Sequence, residues 1–355
     1  MSLISRYLWR NLLASIVVAW IALSLLFGLF DFLAELGDVD ADTRYGTAQA
    51  LLYVLYRFPR TLYTNFPYAV LIGSLMGLGT MASNSEIVAM RAAGMSLARI
   101  VSITLQLGVV LSVAAFALGE WVAPRSESYA ENFKISHLQQ EVAVSDAGVW
   151  LKNGNSLIHI DKIWSEAKVD GLTVYEINLD EGGISRILSA ETATRQANTW
   201  QLQQVLDKYL KRSGVSIEKH AILDVEKLLP DNMLSIATVQ PDQLAANELA
   251  QYIAHQKENA LSSERFELEY WKHFTTPLST LVMLILAAPL VFGFQRNAGA
   301  GQRIFIGILI GIAYLLLDRI VSNTGLVYGI SPFWSAVLPL IAFTGAGLFL
   351  LRRIR

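Results

Sequence analysis

Six stretches of this chain are too long and too apolar to be the ordinary interior of a soluble domain. Residues 12–30, 63–82, 100–123, 274–294, 304–321 and 332–351 are each predominantly apolar, and about 20 such residues at 1.5 Å rise cross the hydrocarbon core of a bilayer. The hydrophobic content, 53% of 355 residues, is concentrated there, and charged residues make up only 16%, against about 25% in soluble domains. That distribution argues against a soluble cytosolic enzyme. A formal net charge of −2 offers no footprint for nucleic acid. With no cysteine in the chain, disulfides, thiolate metal sites and cysteine nucleophiles are excluded together.

The second stretch is the least clean, because Asn65 and Pro67 fall in its first turns; proline is tolerated near a helix start. The first stretch follows Arg6 and Arg10, as a secretory signal would. It is long for one, however, and Asp31-Phe32-Leu33-Ala34-Glu35 lacks a small-x-small cleavage site, so an uncleaved anchor is expected. Six spans alternate the loops between two sides. One side receives Arg6, Arg10, Arg91, Arg99, Arg296, Arg303, Arg352, Arg353 and Arg355. Short loops on the other side carry only Arg44, Arg57 and Arg60, beside Asp31, Glu35, Asp38, Asp40 and Asp42. The positive-inside bias therefore predicts cytoplasmic termini and an extracytoplasmic middle segment, 124–272.

That segment reads mostly as strands. Thr173, Tyr175 and Ile177 alternate with Leu172, Val174 and Glu176, the period of a half-buried strand. Turn pairs recur at Asn153-Gly154, Asp170-Gly171, Gly182-Gly183 and Ser213-Gly214. The spacing suggests a small β-sandwich or jelly roll, and the texture turns helical from Pro241. The expected fold is thus an α-helical membrane protein of six spans with a β-jelly-roll-like domain inserted between the third and fourth. Its divisions are 1–123 with a short helix near 84–93, a β-domain over 124–240, a helical return over 241–272, and 273–355.

No phosphate-binding loop, His-Glu-x-x-His or Gly-x-Ser-x-Gly is present, and the five histidines are scattered. No catalytic residue, metal site or cofactor is expected in this chain. Asp318 and Arg319, near the outer end of the fifth span, are costly in hydrocarbon unless paired or wetted. Sequence neighbours do not face each other on a helix, so each either snorkels to the interface, pairs with a partner elsewhere, or lines a polar cavity. Glu120, at the end of the third span, poses the same choice. After the second span, Ser83-Asn84-Ser85-Glu86 has the form of a capping box. It predicts a helix of about three turns stopped at Gly94. Glu86 is the only acid on the arginine-rich side, and two readings are open for it: a helix cap, or a docking contact for a basic soluble partner.

Residues 85–94 (Ser-Glu-Ile-Val-Ala-Met-Arg-Ala-Ala-Gly), Gly119-Glu120-Trp121-Val122-Ala123-Pro124 and Tyr328-Gly329-Ile330-Ser331-Pro332 resemble the lipopolysaccharide-export permeases. The resemblance runs end to end and looks closer to the LptG branch than to the LptF branch. It implies a non-hydrolytic subunit in the inner membrane of a Gram-negative bacterium, with a periplasmic β-domain. That subunit would pair with an LptF-like paralogue over an LptB-like ATPase dimer that uses ATP and Mg, with an LptC-like partner at a periplasmic bridge. Lipopolysaccharide would be extracted from the outer leaflet of that membrane. By position, Glu86, Ile87, Met90 and Arg91 would belong to the coupling helix that docks on the ATPase.

The sequence departs from the family at the outer end of span one, where relatives place lysines for lipid phosphates. Here stand Asp31, Gly37 and Asp38, and after span three Glu131 and Lys134 occupy the positions of a basic pair. Lipid contacts would then fall to Lys134, Arg125, Asp318 and Arg319, and to inward strand positions Ile158, Tyr175 and Ile177, with the paralogous subunit or bridging divalent cations as the other ways to hold the phosphates. The alternative is a signalling or mechanotransmitting membrane protein with a periplasmic sensor domain. An exporter needs a large, partly polar cavity, expected between spans one and five, whereas a transmitter needs only packed helices.

Overall fold

A computed structural model describes residues 3–39, 45–138, 148–165, 167–178, 183–196, 199–211, 214–226, 228, 241–259, 261–294 and 299–353. Asp40, Asp42, Arg44, Gly182, Ser213, Arg296 and Arg355, named above, lie outside them. Each apolar stretch is a helix long and apolar enough to cross a membrane. Helices α1 (Leu3–Glu35) and α2 (Thr47–Ser83) form a hairpin, followed by the short α3 (Glu86–Ala92). Helix α4 (Leu97–Ala117) passes through a wide π-type turn, Leu118–Val122, into α5 (Ala123–Leu138). After six strands come α6 (Ala246–Glu258), α7 (Glu264–Pro289), α8 (Ala300–Tyr328) and α9 (Pro332–Arg352).

The helices outrun the apolar stretches that announce them. α2 begins at Thr47, so Pro59 and Pro67 lie inside it and Pro67 is not in a first turn. The third span likewise continues as α5 to Leu138. These extensions carry the polar groups, and they pack on each other: Ala50, Tyr53 and Val54 of α2 share a buried cluster with Ala130 of α5, Arg57 of α2 donates from Nε to Glu127 of α5 at 2.9 Å, and Tyr53 donates to Glu131 at 2.7 Å. Helices α2 and α7 are the central posts. Of its most apolar window 72% is buried in α2, against 22% in α1 and 17% in α8. The core they build contains Leu12 and Ile16 of α1, Leu71 and Leu75 of α2, and Met283 and Ala287 of α7. Helix α1 approaches α2 very closely, because a Cβ added at Gly73 would fall on the backbone of Ile16.

Strands β1 (Val149–Asn153), β2 (Ser156–Ser165), β3 (Lys168–Asn178), β4 (Gly183–Gln196), β5 (Thr199–Lys211) and β6 (Gly214–Glu226) form one antiparallel sheet in chain order. One face is the core. Register pairs Ile158 with Val174, Val174 with Leu188, and Leu188 with Asp207, so these residues share that face. Tyr175 pairs with Leu157 on the opposite face, where its ring stacks on Trp150. Ile158 is buried as expected, but Tyr175 is not inward, and Ile177 follows it two residues on, half-buried. Alternation gives the period of a strand without saying which set faces in: Leu172 and Val174 are the buried set here, and Thr173 and Tyr175 are only half-buried. The β1–β2 turn is pinned to the end of α6: Lys152 Nζ donates to the carbonyl of Asn259 at 2.8 Å, and Gly154 N–H to its side chain at 2.9 Å.

Asp207 is an acid on the core face, with its side chain 3% exposed. It survives there because the Arg186 guanidinium grips it with two hydrogen bonds of 2.9 and 2.7 Å, the geometry of a fork on a carboxylate. Those bonds hold its carboxyl below the usual carboxylate range. A depressed folded value means that the stabilisation is present above the unfolded value of about 3.9 and is lost as pH falls through the folded one. Asp207→Ala leaves Arg186 without its principal partner and is expected to cost about 3 kcal/mol. Hydrogen exchange of β4 and β5 amides in the full chain should accelerate on that change at pH 7. It should accelerate in the wild type only below about pH 4. Equal protection in both proteins at pH 7 would remove Asp207 from the stability of the sheet.

Candidate functional site

Two places gather polar groups in a way that simple packing does not require, one at each end of the bundle. At the first, α2 turns into α3. Ser83 closes α2 and turns its hydroxyl back onto the carbonyls of Gly79 and Thr80 at 3.0 Å. The chain reverses at Ser85, which takes a left-handed conformation with φ +62°, and Glu86 opens α3. The expected capping box between Ser83 and Glu86 is therefore not made, since α2 keeps Ser83. Helix α3 has 7 residues, two turns where three were expected, and ends as the sequence suggests. Gly94, at φ +89°, donates to Arg91 and Met95 donates to Met90, the paired bonds of a Schellman stop.

With no cap to make, the Glu86 carboxylate accepts a hydrogen bond from the Tyr7 hydroxyl of α1 at 2.9 Å. Ile87 points the other way, 5% exposed, into a cluster with Leu8, Met81, Ile100 and Ile103, and Met90 packs against its edge. Val88, Ala89, Arg91 and Ala92 remain on the outer side. Of the four residues expected in a coupling helix, Glu86 and Arg91 are thus available to a partner, while Ile87 and Met90 fasten the helix to the bundle. The chemical offer is one carboxylate and one guanidinium on a short, firmly seated helix.

At the other end, from which the strands branch, the ends of α1, α2 and α5 meet in an ion network. Lys134 donates to Glu35 at 2.6 Å and to Asp38 at 2.7 Å, while Tyr45 also donates to Glu35. The ammonium is thereby held by two acids, one at the end of α1 and one in the turn that follows it. Glu127, 1% exposed, pairs with Arg57 and stands 4.0 Å from Arg60. Arg125 lies exposed on α5. Glu120, in the wide turn after α4, accepts from the N–H of Ala246 at 3.1 Å, capping α6, and lies 3.7 Å from the ring of His273. Gly119 is required there, because a Cβ would collide with the ring of Tyr63. That geometry accounts for the first half of Gly-Glu-Trp-Val-Ala-Pro.

Beside this network a cavity of about 620 Å³ opens among α2, α7 and α8. Its walls include Tyr68, Tyr314, Arg60, Arg265, Lys272 and Arg319, with Glu269 and Asp318 opposite in charge. Lys272 is paired with Glu269 at 2.9 Å, whereas Arg265 and Arg319 form no ion pair among the described residues. Asp318 and Arg319 thus both line one polar space. The cavity is not between spans one and five of this chain, since α2 packs between α1 and α8 and separates them. Sequence reading missed Tyr7, Glu127 and the Lys134 clamp, whose partners lie 70 or more positions away; no local pattern signals such contacts. The described residues contain no cluster of three or more potential metal ligands.

The family described as "Lipopolysaccharide export system permease LptF/LptG" matches residues 6–353. The lipopolysaccharide export system permease protein LptG of Escherichia coli (strain K12) is 29% identical over 99% of this chain and 98% of its own length. The LptG protein of Haemophilus influenzae is 28% identical over 99% of both chains.

Proposed function

The chain belongs to the LptF/LptG family of lipopolysaccharide export permeases, and on that premise we propose that it is one membrane subunit of an ATP-driven exporter. In this reading it extracts lipopolysaccharide from the inner membrane and passes it along the β-domain to a periplasmic bridge. The arginine-rich end, with both termini and α3, faces the cytoplasm, and the sheet lies in the periplasm; the Lys/Arg asymmetry supports that orientation. With no nucleotide-binding motif of its own, the chain receives its power stroke through α3 from an LptB-like ATPase dimer that binds ATP and Mg. An LptC-like protein and an LptF-like paralogue complete the assembly.

The cavity among α2, α7 and α8 is the observation that carries this reading. It lies in the half of the bundle next to the β-domain, combines aromatic rings with the guanidinium groups of Arg265 and Arg319, which form no ion pair among the described residues, and so suits the boundary between acyl chains and anionic phosphates in the outer leaflet. A signal transmitter would have no use for it. Its volume of about 620 Å³ is on the scale of a site for a drug-sized ligand, about 300–1,000 Å³, and cannot enclose a whole multi-acyl glycolipid. The remainder must be enclosed by a second subunit. Because α2 separates α1 from α8 within this chain, any opening between spans one and five also needs the paralogue's helices.

Photoreactive residues at Thr64 and Leu326, which line the cavity, should capture lipopolysaccharide in the assembled complex. One at Ile312, exposed on α8 outside the cavity, should not. Arg319→Glu should lower the captured yield several-fold. Equal capture at all three positions, unaffected by Arg319→Glu, would mean that lipid merely surrounds the protein.

A further inference from the structure

Tyr7 lies 79 positions from Glu86 in the chain, yet its hydroxyl donates to Glu86 Oε2 at 2.9 Å. We propose that Tyr7 is a positioning residue for coupling: it fixes one oxygen of the Glu86 carboxylate, presents the other to the ATPase partner, and joins the docking helix to α1. The proposal rests on the docking role of α3 given above.

A surface glutamate has several rotamers, and restricting them on binding opposes association. A donor that already holds the carboxylate in place removes part of that cost before the partner arrives. The donor must not cancel the charge. A lysine or arginine at position 7 would pair with Glu86 and compete with the partner, whereas a phenol donates one hydrogen bond and leaves the carboxylate anionic. Among the described residues only one oxygen is taken, which leaves the other open to a guanidinium.

The surroundings of Tyr7 make this contact a joint as well as a clamp. Leu8, fully buried, packs in the same cluster as Ile87, and Trp9 donates from Nε1 to the carbonyl of Ile103 on α4 at 3.0 Å. Three consecutive residues thus fasten the start of α1 to α3 and α4. Close-packed contacts transmit displacement instead of absorbing it. Helix α1 then runs 33 residues, about 50 Å at 1.5 Å per residue, to Glu35, which holds Lys134 at the far end. A movement of α3 therefore reaches the opposite membrane face through α1 as well as through α2.

The test uses the assembled complex of this chain, its paralogue and the ATPase in lipid nanodiscs, in wild-type, Tyr7→Phe, Glu86→Ala and doubly substituted forms. Tyr7→Phe keeps the ring and the packing of Leu8 and removes only the hydroxyl. It should weaken ATPase binding roughly fivefold and lower the lipid released per ATP hydrolysed. In the Glu86→Ala background the same change should have no further effect, because nothing is left to position. Equal weakening in both backgrounds, or none in either, overturns the proposal while the docking role stands. If Glu86→Ala itself binds the ATPase like the wild type, the docking reading fails first and the positioning role with it.

Discussion

A chain carrying Glu86→Lys is expected to fold, insert and then fail to hold its ATPase. Glu86 is the one acid among the arginines of its side, and α3 presents it beside Val88, Ala89 and Arg91 on a seat fixed by Ile87. A charge-assisted pair with a partner arginine contributes about 1.5–3 kcal/mol. Reversing the sign loses that pair and adds repulsion, so binding should fall roughly a hundredfold or more. The fold itself loses little, because the capping box that would have made Glu86 structural is not formed. Glu86→Gln keeps an acceptor for Tyr7 and loses only the charge, and should cost roughly tenfold. An Arg→Glu change in the partner's groove should restore the lysine variant. Copurification of the ATPase with each variant reads the outcome, and full retention by Glu86→Lys would return the residue to the status of a surface glutamate.

Gly73→Val should be the most damaging single change inside the bundle. A side chain at Gly73 has nowhere to go, since the backbone of Ile16 occupies the space, and four residues on a Cβ at Gly77 would lie 3.0 Å from the Ser15 hydroxyl. Two glycines four apart on one helix face allow two backbones to touch, and close packing is what holds helices together in lipid. Between its two fastened ends helix α1 packs sparsely elsewhere, since only 22% of its apolar window is buried. We expect Gly73→Val to force the hairpin apart at a cost of about 3 kcal/mol or more. Gly77→Ala meets a small, movable side chain and should cost under about 1 kcal/mol. Unfolding of the purified chain in mixed detergent micelles should separate the two. Similar stability for Gly73→Val and wild type would show that α1 and α2 are not packed as described.

The six spans were legible because hydrocarbon imposes a length and a composition that no soluble helix needs. Their ends were not. Hydropathy stops counting at Arg60, but the helix does not: Ala50, Tyr53 and Val54 pack against Ala130 of α5, and Arg57 and Tyr53 find Glu127 and Glu131 there. Two of the three sequence motifs turn out to be joints. Gly119 clears the ring of Tyr63, Glu120 caps α6, and Gly329, at φ +66°, closes α8 while Ile330 donates to Gly325. The strands were readable by period, whereas the buried face was not, because both alternating sets of β3 carry large apolar residues, Leu172 and Val174 on one face and Tyr175 and Ile177 on the other. At the candidate sites, Glu86 stood out as the one acid among the arginines of its side. Its true neighbour, Tyr7, and the clamp on Lys134 depend on contacts between distant parts of the chain, which only the fold brings together.

The central claim is that this chain moves lipopolysaccharide when its cytoplasmic partner burns ATP. It is tested most directly by reconstituting the chain with its paralogue, the ATPase and the periplasmic bridge in liposomes loaded with lipopolysaccharide, then following lipid arriving at photoreactive sites on the bridge. The account predicts ATP-dependent arrival that disappears with Glu86→Lys and falls with Arg319→Glu. Assembly of the full complex with ATP hydrolysed and no lipid reaching the bridge would contradict it.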